Sequence, residues 1–227
     1  MLGHRRARPV VARREGARAA RRRARVSGSR LRLVVLASGN GSNLRALLDA
    51  SASGTVRADV VAVFSDRPGA YALERARLAG VPAIALPFAR GSDRRAYDAG
   101  LAERVAAYEP DYVLLLGWMR LLSSAFLSRF QGRVVNLHPA LPGAFPGVRA
   151  IERAFEAYRA GAVDRTGVMT HLVPDEGVDS GPVLAVEEVP ILTGDDLEYL
   201  EARIHAAEHR LVVKTVEGLV REYEGRV

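Results

Sequence analysis

Cysteine is absent from the 227 residues. That excludes a disulfide framework, a thiolate metal site and a cysteine nucleophile. It agrees with a reducing compartment, and the cytoplasm is the expected location. Lysine is nearly absent: Lys214 stands alone beside 32 arginines, a bias typical of a GC-rich genome. Long apolar runs are missing too. Tyr112–Leu116 is among the longest, far below the ~18 residues of a membrane helix, so no membrane partner is expected. No His or carboxylate cluster has metal-ligand spacing, and no metal is expected. His205 and His209 lie four residues apart but lack the glutamate arrangement of a zinc protease. Ser38 and Ser42 lack the strand–turn context of a nucleophilic serine.

What is present describes a folded protein. The chain is 48% hydrophobic and 26% charged, ordinary fractions that exclude wholesale disorder. The net charge of +7 is unevenly placed. Residues 1–30 hold eleven Arg and one acid, Glu15, a local +10; the other 197 residues carry 22 bases and 25 acids, a net of −3. Self-repulsion and missing apolar periodicity predict that 1–30 is a disordered Arg-rich extension, with one domain over 31–227. An extension of this kind suits a nucleic-acid-binding arm, a targeting segment, or a solvated stretch translated ahead of a start near Val26. The last reading is the plainest, since a secretory apolar stretch is lacking. Nucleic acid is not expected as a partner except through this tail.

Beyond residue 30 short apolar runs alternate with helical patterns. Leu31–Ala37, Asp59–Phe64, Pro82–Leu86, Tyr112–Leu116, Val134–Leu137, Val168–Val173 and Pro182–Val189 read as strands. Tyr71–Ala79, Asp93–Ala107, Ser124–Phe130, Ala150–Arg159 and Asp195–Gly218 read as helices, as does the stretch after Asn43. This predicts an α/β fold: a Rossmann-like three-layer sandwich with a mostly parallel central sheet. Such sheets bind ligands outside the carboxyl ends of their strands. That rule selects Ser38–Asn43, Gly117–Leu122 and Asn136–Gly147.

Ser38-Gly-Asn-Gly-Ser-Asn43 links a strand to a helix. Its glycines let amide N–H groups face an anion at a helix N-terminus, which suits one phosphate. It is neither a P-loop nor a dinucleotide fingerprint. A plain turn with a capped helix remains the alternative. In Val134-Val-Asn-Leu-His-Pro139, Asn136 and His138 share one side of a strand end by period-2 alternation. An amide can donate to an oxyanion and an imidazole can shuttle a proton; the alternative is a buried pair that satisfies a strand terminus. Asp175, Glu176 and Asp179 lie in a turn-rich loop that can bring a carboxylate to the imidazole. Asp179, just before Ser-Gly-Pro, is the most constrained.

Taken in order, Ser38-Gly-Asn-Gly-Ser-Asn43, Leu116-Gly-Trp-Met-Arg-Leu-Leu122, Asn136-Leu-His-Pro139 and Asp179-Ser-Gly-Pro182 resemble the phosphoribosylglycinamide formyltransferases over about residues 31–220. The resemblance implies transfer of a formyl group from 10-formyltetrahydrofolate, as co-substrate, to the amine of glycinamide ribonucleotide in purine biosynthesis. It implies that Asn136, His138 and Asp179 are catalytic, with His138 protonated and held so by Asp179. It places the substrate phosphate on Gly41, Ser42, Asn43, Leu44 and Arg45, and the glycinamide end near His205, Ala206, Ala207 and Glu208. It places the folate against Arg94, against Met119, Arg120, Leu121 and Leu122, against Asn136, and against Asp175, Glu176, Gly177, Val178 and Asp179. The chain departs from the usual His-Pro-Ser-Leu-Leu-Pro in having His138-Pro-Ala-Leu-Pro-Gly143, so Ala140, Pro142 and Gly143 alter a substrate loop. Monomer and homodimer both stay open. The competing readings are a formyltetrahydrofolate hydrolase, a methionyl-tRNA formyltransferase-like enzyme, and a non-catalytic nucleotide- or nucleic-acid-binding protein. The first is expected to carry an N-terminal regulatory domain, the second an extra C-terminal domain; the third leaves Asn136, His138 and Asp179 idle.

Overall fold

The computed structural model describes residues 29–89 and 91–225. Seven strands form one sheet: β1 (Leu31–Leu36), β2 (Ala58–Ser65), β3 (Ala83–Ala85), β4 (Tyr112–Leu115), β5 (Val134–His138), β6 (Arg165–Leu172) and β7 (Val183–Pro190). Their spatial order is β3-β2-β1-β4-β5-β6-β7. The β1–β2, β2–β3, β1–β4 and β4–β5 pairs are parallel; β5–β6 and β6–β7 are antiparallel. Six α-helices accompany them: α1 (Ser42–Ala52), α2 (Tyr71–Leu78), α3 (Arg94–Ala106), α4 (Ser124–Leu127), α5 (Ala150–Arg159) and α6 (Leu197–Glu224).

The inner strands β1, β2 and β4 are largely apolar because both faces of the sheet are covered there. In β1, Leu31, Leu33 and Val35 enter a core with Leu44 and Leu47 of α1 and Leu200, Ile204 and Leu211 of α6. Val34 and Leu36 point the other way, onto Leu101 and Val105 of α3 and Phe126 of α4. Each such side chain, fully buried, contributes roughly 1.5–3 kcal/mol of apolar transfer. The result is the expected three-layer α/β sandwich with a mostly parallel sheet.

Several boundaries differ from the sequence reading for local reasons. The closing helix begins after Asp196, whose carboxylate accepts from the Tyr199 N–H at 2.8 Å. Asp195 is instead paired with Arg203 at 2.6 Å. The helix runs on to Glu224, past Gly218, because Leu219, Val220 and Tyr223 still face the core. The stretch Ser124–Phe130 divides into α4 and a 3₁₀ turn over Ser128–Phe130. Asp93 caps α3 as expected, accepting from Arg95 N at 2.8 Å and Ala96 N at 3.3 Å.

Most of the expected tail lies outside the described residues, but its last two members do not. Arg30 spans the ends of three segments: its guanidinium meets Asp59 at 2.6 Å and donates to the carbonyls of Ser51, Val56 and Ala58. Ser29 Oγ lies 3.1 Å from the Tyr223 hydroxyl. Ser29 and Arg30 therefore pack against the sandwich.

The chain runs outward from β1 to β2 and β3, then returns to β4 on the other side of β1. This reversal opens a crevice between the carboxyl ends of β1 and β4. The two loops there are tied together: Ser38 N donates to Gly117 O at 3.0 Å and Met119 N to Ser38 Oγ at 3.0 Å. Replacing Arg30 with alanine strips donors from three carbonyls at the far end of the sheet. Urea unfolding of Arg30→Ala should show a loss of about 1 kcal/mol, since the side chain is partly solvated; no loss would mean that Arg30 does not anchor the start of the domain.

Candidate active site

The glycine turn after β1 ends at Gly41, which caps α1 in the left-handed region (φ 75°). A Cβ there would lie 2.7 Å from that of Ala72, so both the conformation and the close approach require glycine. The first amides of α1 have no intrahelical acceptor and point out of the helix N-terminus. Asn43 is buried; its Nδ2 donates to Glu208 Oε2 at 3.2 Å. Its Oδ1 is sealed from solvent and has no hydrogen-bond partner among the described residues. Glu208, six per cent exposed, also receives His205 Nδ1 at 2.8 Å. That hydrogen bond raises the His205 pKa above the usual histidine value against the opposing effect of burial. The structure thus brings the turn and Glu208 together, although 165 residues separate Asn43 from Glu208.

Two residues expected at this end face elsewhere. The side chains of Leu44 and Ala207 are fully buried in the core under the sheet. Only their backbone can meet a ligand. Arg45 is exposed and joined to Asp49 at 2.7 Å. Ala206 is exposed.

Across the crevice, Arg120 Nε meets Asp66 Oδ2 at 3.0 Å, and its guanidinium lies 3.7 Å from the Phe88 ring centre. Asp66 is fixed in turn by the Ser38 hydroxyl at 2.6 Å. Met119 and Leu121 are exposed on this side, whereas Leu122 is buried in the opposite core and offers a ligand only its backbone. Arg94 pairs with Glu176, which also accepts from the Ser124 N–H at 3.0 Å. That N–H chiefly, with Arg94 beside it, holds the Glu176 carboxyl below its ordinary range. These contacts pin the 174–182 loop to α3 and α4. Within the loop, the Asp175 carboxylate accepts from Gly177 N at 2.8 Å and Val178 is exposed.

Asp179 is the centre of the site. It sits in the left-handed region (φ 49°), unusual for a non-glycine residue. Gly181 lets the loop pass so close to β6 that a Cβ would stand 1.8 Å from Leu172 O. Asn136 Nδ2 donates to Asp179 Oδ1 at 3.0 Å, Gly147 N to Oδ2 at 2.8 Å, and His138 Nδ1 lies 3.3 Å from Oδ2. Amide, imidazole and carboxylate therefore converge as the sequence predicts. Burial opposes ionisation of Asp179, but His171, the Gly147 N–H and the neighbouring imidazoles outweigh it and hold its pKa low.

Burial and hydrogen bonding act on His138 in opposite directions. Its pKa is lowered, because burial of the ring outweighs the pull of Asp179. The geometry of the ring favours the charged form nonetheless, since Nδ1 faces the Asp179 carboxylate, an acceptor, at 3.3 Å. Its Nε2 also faces the Phe145 carbonyl at 3.1 Å. That carbonyl accepts from Arg153 as well, at 2.7 Å, and Phe145 itself is left-handed (φ 46°).

Sequence reasoning missed His171. It is two per cent exposed, opposite Asn136 in the antiparallel β5–β6 register, with Nε2 at 3.1 Å from Asn136 Nδ2 and 3.3 Å from Asp179 Oδ1. Its antiparallel partnership was the missing signal, since a mostly parallel sheet gives no reason to set β6 against the end of β5. Gly147 and Phe145 were likewise invisible as backbone partners.

The "Formyl transferase" family model matches residues 31–216. A Schizosaccharomyces pombe phosphoribosylglycinamide formyltransferase is 45% identical over 202 residues, covering 84% of this chain and 97% of that protein. The chain belongs to the phosphoribosylglycinamide formyltransferase family. A Mycobacterium tuberculosis member is 50% identical over 188 residues, 83% of this chain and 84% of its own. The crystal structure of glycinamide ribonucleotide transformylase 1 from Symbiobacterium toebii superposes with a TM-score of 0.80 at 42% identity, over 86% of this chain and 90% of that one. Within this formyltransferase, no described helix is long and apolar enough to cross a membrane. No group of three or more His, Cys, Asp or Glu among the described residues is arranged to hold a metal.

His205 gives this formyltransferase a pH signature. Its raised pKa keeps the ring cationic to higher pH than an ordinary histidine, and the charge is lost as pH rises through that raised value. Affinity for a phosphate-bearing substrate should fall over the same interval, and His205→Gln should bind weakly and without that pH dependence. Calorimetric titration at several pH values checks this; identical pH profiles for both proteins would mean that His205 does not act on the bound substrate.

Proposed function

We propose that this chain transfers the formyl group of 10-formyltetrahydrofolate to the amine of glycinamide ribonucleotide, giving formylglycinamide ribonucleotide and tetrahydrofolate. The observation that carries the reading is the Asn136–His138–Asp179 cluster, placed across the crevice region from an anion-suited turn. The ribonucleotide phosphate is assigned to the amides of residues 41–45 and to Asn43, with the glycinamide end toward His205 and Glu208. The folate is assigned to the crevice face of Arg120, Met119 and Leu121, bounded by Arg94 and the 175–179 loop.

The chemistry follows from the charges. A neutral amine attacks the formyl carbon, and the carbonyl electrons move to oxygen. Asn136 supplies an N–H to that oxygen, and loss of one such donor costs about 10²–10³-fold in rate. Asp179, ionised at neutral pH, accepts the proton the amine sheds as the C–N bond forms. The proton then goes to the departing folate nitrogen. Once the Phe145 carbonyl releases His138 Nε2, the N–H there can also face the oxyanion.

A spectroscopic assay of formyl-folate consumption, run with and without glycinamide ribonucleotide, tests the function directly. Consumption should require the ribonucleotide; consumption in its absence would make the protein a hydrolase, and none in either case a binder. Asp179→Asn should lower kcat by at least about 10²-fold with a small change in either KM, by analogy with the loss of one charge-stabilising group. A wild-type kcat in that variant would remove Asp179 from the chemistry.

A further inference from the structure

Two carbonyls of the glycine turn face α2, and they decide where its amides point. Ala72 N, in the first turn of α2, donates to Gly39 O at 3.1 Å. Three residues further along that helix, Arg75 takes the next residue of the turn with two donors. Its Nε donates to Asn40 O at 2.9 Å and its Nη2 to Asn40 Oδ1 at 2.9 Å. The guanidinium lies 4.8 Å from the centre of the Tyr71 ring, on the same helix. The backbone and side-chain oxygens of Asn40 are thus held by one fork, a geometry that a guanidinium matches and an ammonium does not.

A trans peptide sets its C=O and N–H on opposite sides. With the Asn40 carbonyl turned to Arg75, the Gly41 N–H has to face away from α2. No acceptor among the described residues takes it. Glycine populates either sign of φ about as readily, so residue 41 does not by itself fix the peptide. Rotating the 40–41 peptide by half a turn would withdraw that N–H and present a carbonyl oxygen to an anion instead. We propose that Arg75 is a positioning residue for the substrate phosphate: its two bonds to Asn40 lock the 40–41 peptide with the Gly41 N–H outward. The inference rests on the formyl-transfer reading, which assigns the phosphate to the amides of residues 41–45.

The remaining anchors of the turn act on other peptides. Ala72 N holds Gly39 O, one peptide earlier, and Ser38 N is bound to Gly117 O. At the other end Arg45 N donates to Gly41 O at 3.0 Å, which starts α1. Loss of the Arg75 side chain therefore frees the 40–41 peptide while the turn stays attached to the sheet and to α2.

The test compares the full-length enzyme with Arg75→Met and Arg75→Lys. Arg75→Met keeps an unbranched stem beside Tyr71 and loses every donor; Arg75→Lys keeps the cation and loses the fork. In both variants the KM for glycinamide ribonucleotide should rise about 10-fold, the effect of one hydrogen bond to a charged group. The change in kcat should be smaller, and the folate KM should not move. Inorganic phosphate should shift the Gly41 ¹H–¹⁵N signal of the wild type and move it far less in either variant. A ribonucleotide KM unchanged in Arg75→Met, or one that rises together with the folate KM, overturns the proposal. Wild-type affinity in Arg75→Lys overturns it as well, because the cation alone would then suffice. Should neither variant fold, the wild-type spectrum decides: a Gly41 signal unmoved by phosphate while those of Ser42 and Asn43 shift contradicts the assignment. A wild-type protein in which no amide of the turn responds to phosphate or to the ribonucleotide refutes the functional reading, and this proposal with it.

Discussion

The site depends on one buried carboxylate. Asp179 is held by the Asn136 amide, the Gly147 N–H and His171, with the His138 ring alongside. An isolated carboxylate in this position would take up a proton rather than remain charged. Its ionisation is therefore a property of the whole cluster, and the cluster in turn takes its shape from the charge. The orientation of the Asn136 amide, the closeness of residue 147 and the left-handed backbone at residue 179 are each explained by keeping that charge where it is.

The scaffold makes the convergence possible. Parallel strands deliver β1, β4 and β5 to one edge with their carboxyl ends level, and the crevice opens where the strand order reverses. The antiparallel β6 then returns beside β5, so a residue of β6 meets Asn136 directly. The 174–182 hinge between β6 and β7 folds Asp179 back onto that pair. Arg94, Glu176 and the start of α4 fasten the loop from outside. Glu208 reaches the glycine turn from α6, whose inner face is anchored by Leu200, Ile204 and Leu211.

Much of this was legible in the residues. Apolar runs of strand length, helical spacing between them and a glycine turn after the first run were enough for the layered α/β fold. The strand-end rule located Asn136 and His138, and loop chemistry located Asp179. Other features depend on quantities that a sequence does not carry. The lowered pKa of His138 follows from burial, which pattern alone does not measure. The core-facing side chains of Leu44, Leu122 and Ala207 became separable from ligand contacts only through packing. His171 was hidden because its role depends on strand register. Glu208 looked like a solvated helix residue until its bond to Asn43 was visible; only the family resemblance pointed to it.

The central claim is that Asn136 and Asp179 act as one unit and not as two independent contacts. A double-mutant cycle on kcat with Asn136→Ala and Asp179→Asn measures that coupling directly. The account predicts strong non-additivity, with the double variant little slower than the more damaged single variant. Additive losses would contradict it, because they would mean that amide and carboxylate serve the reaction separately.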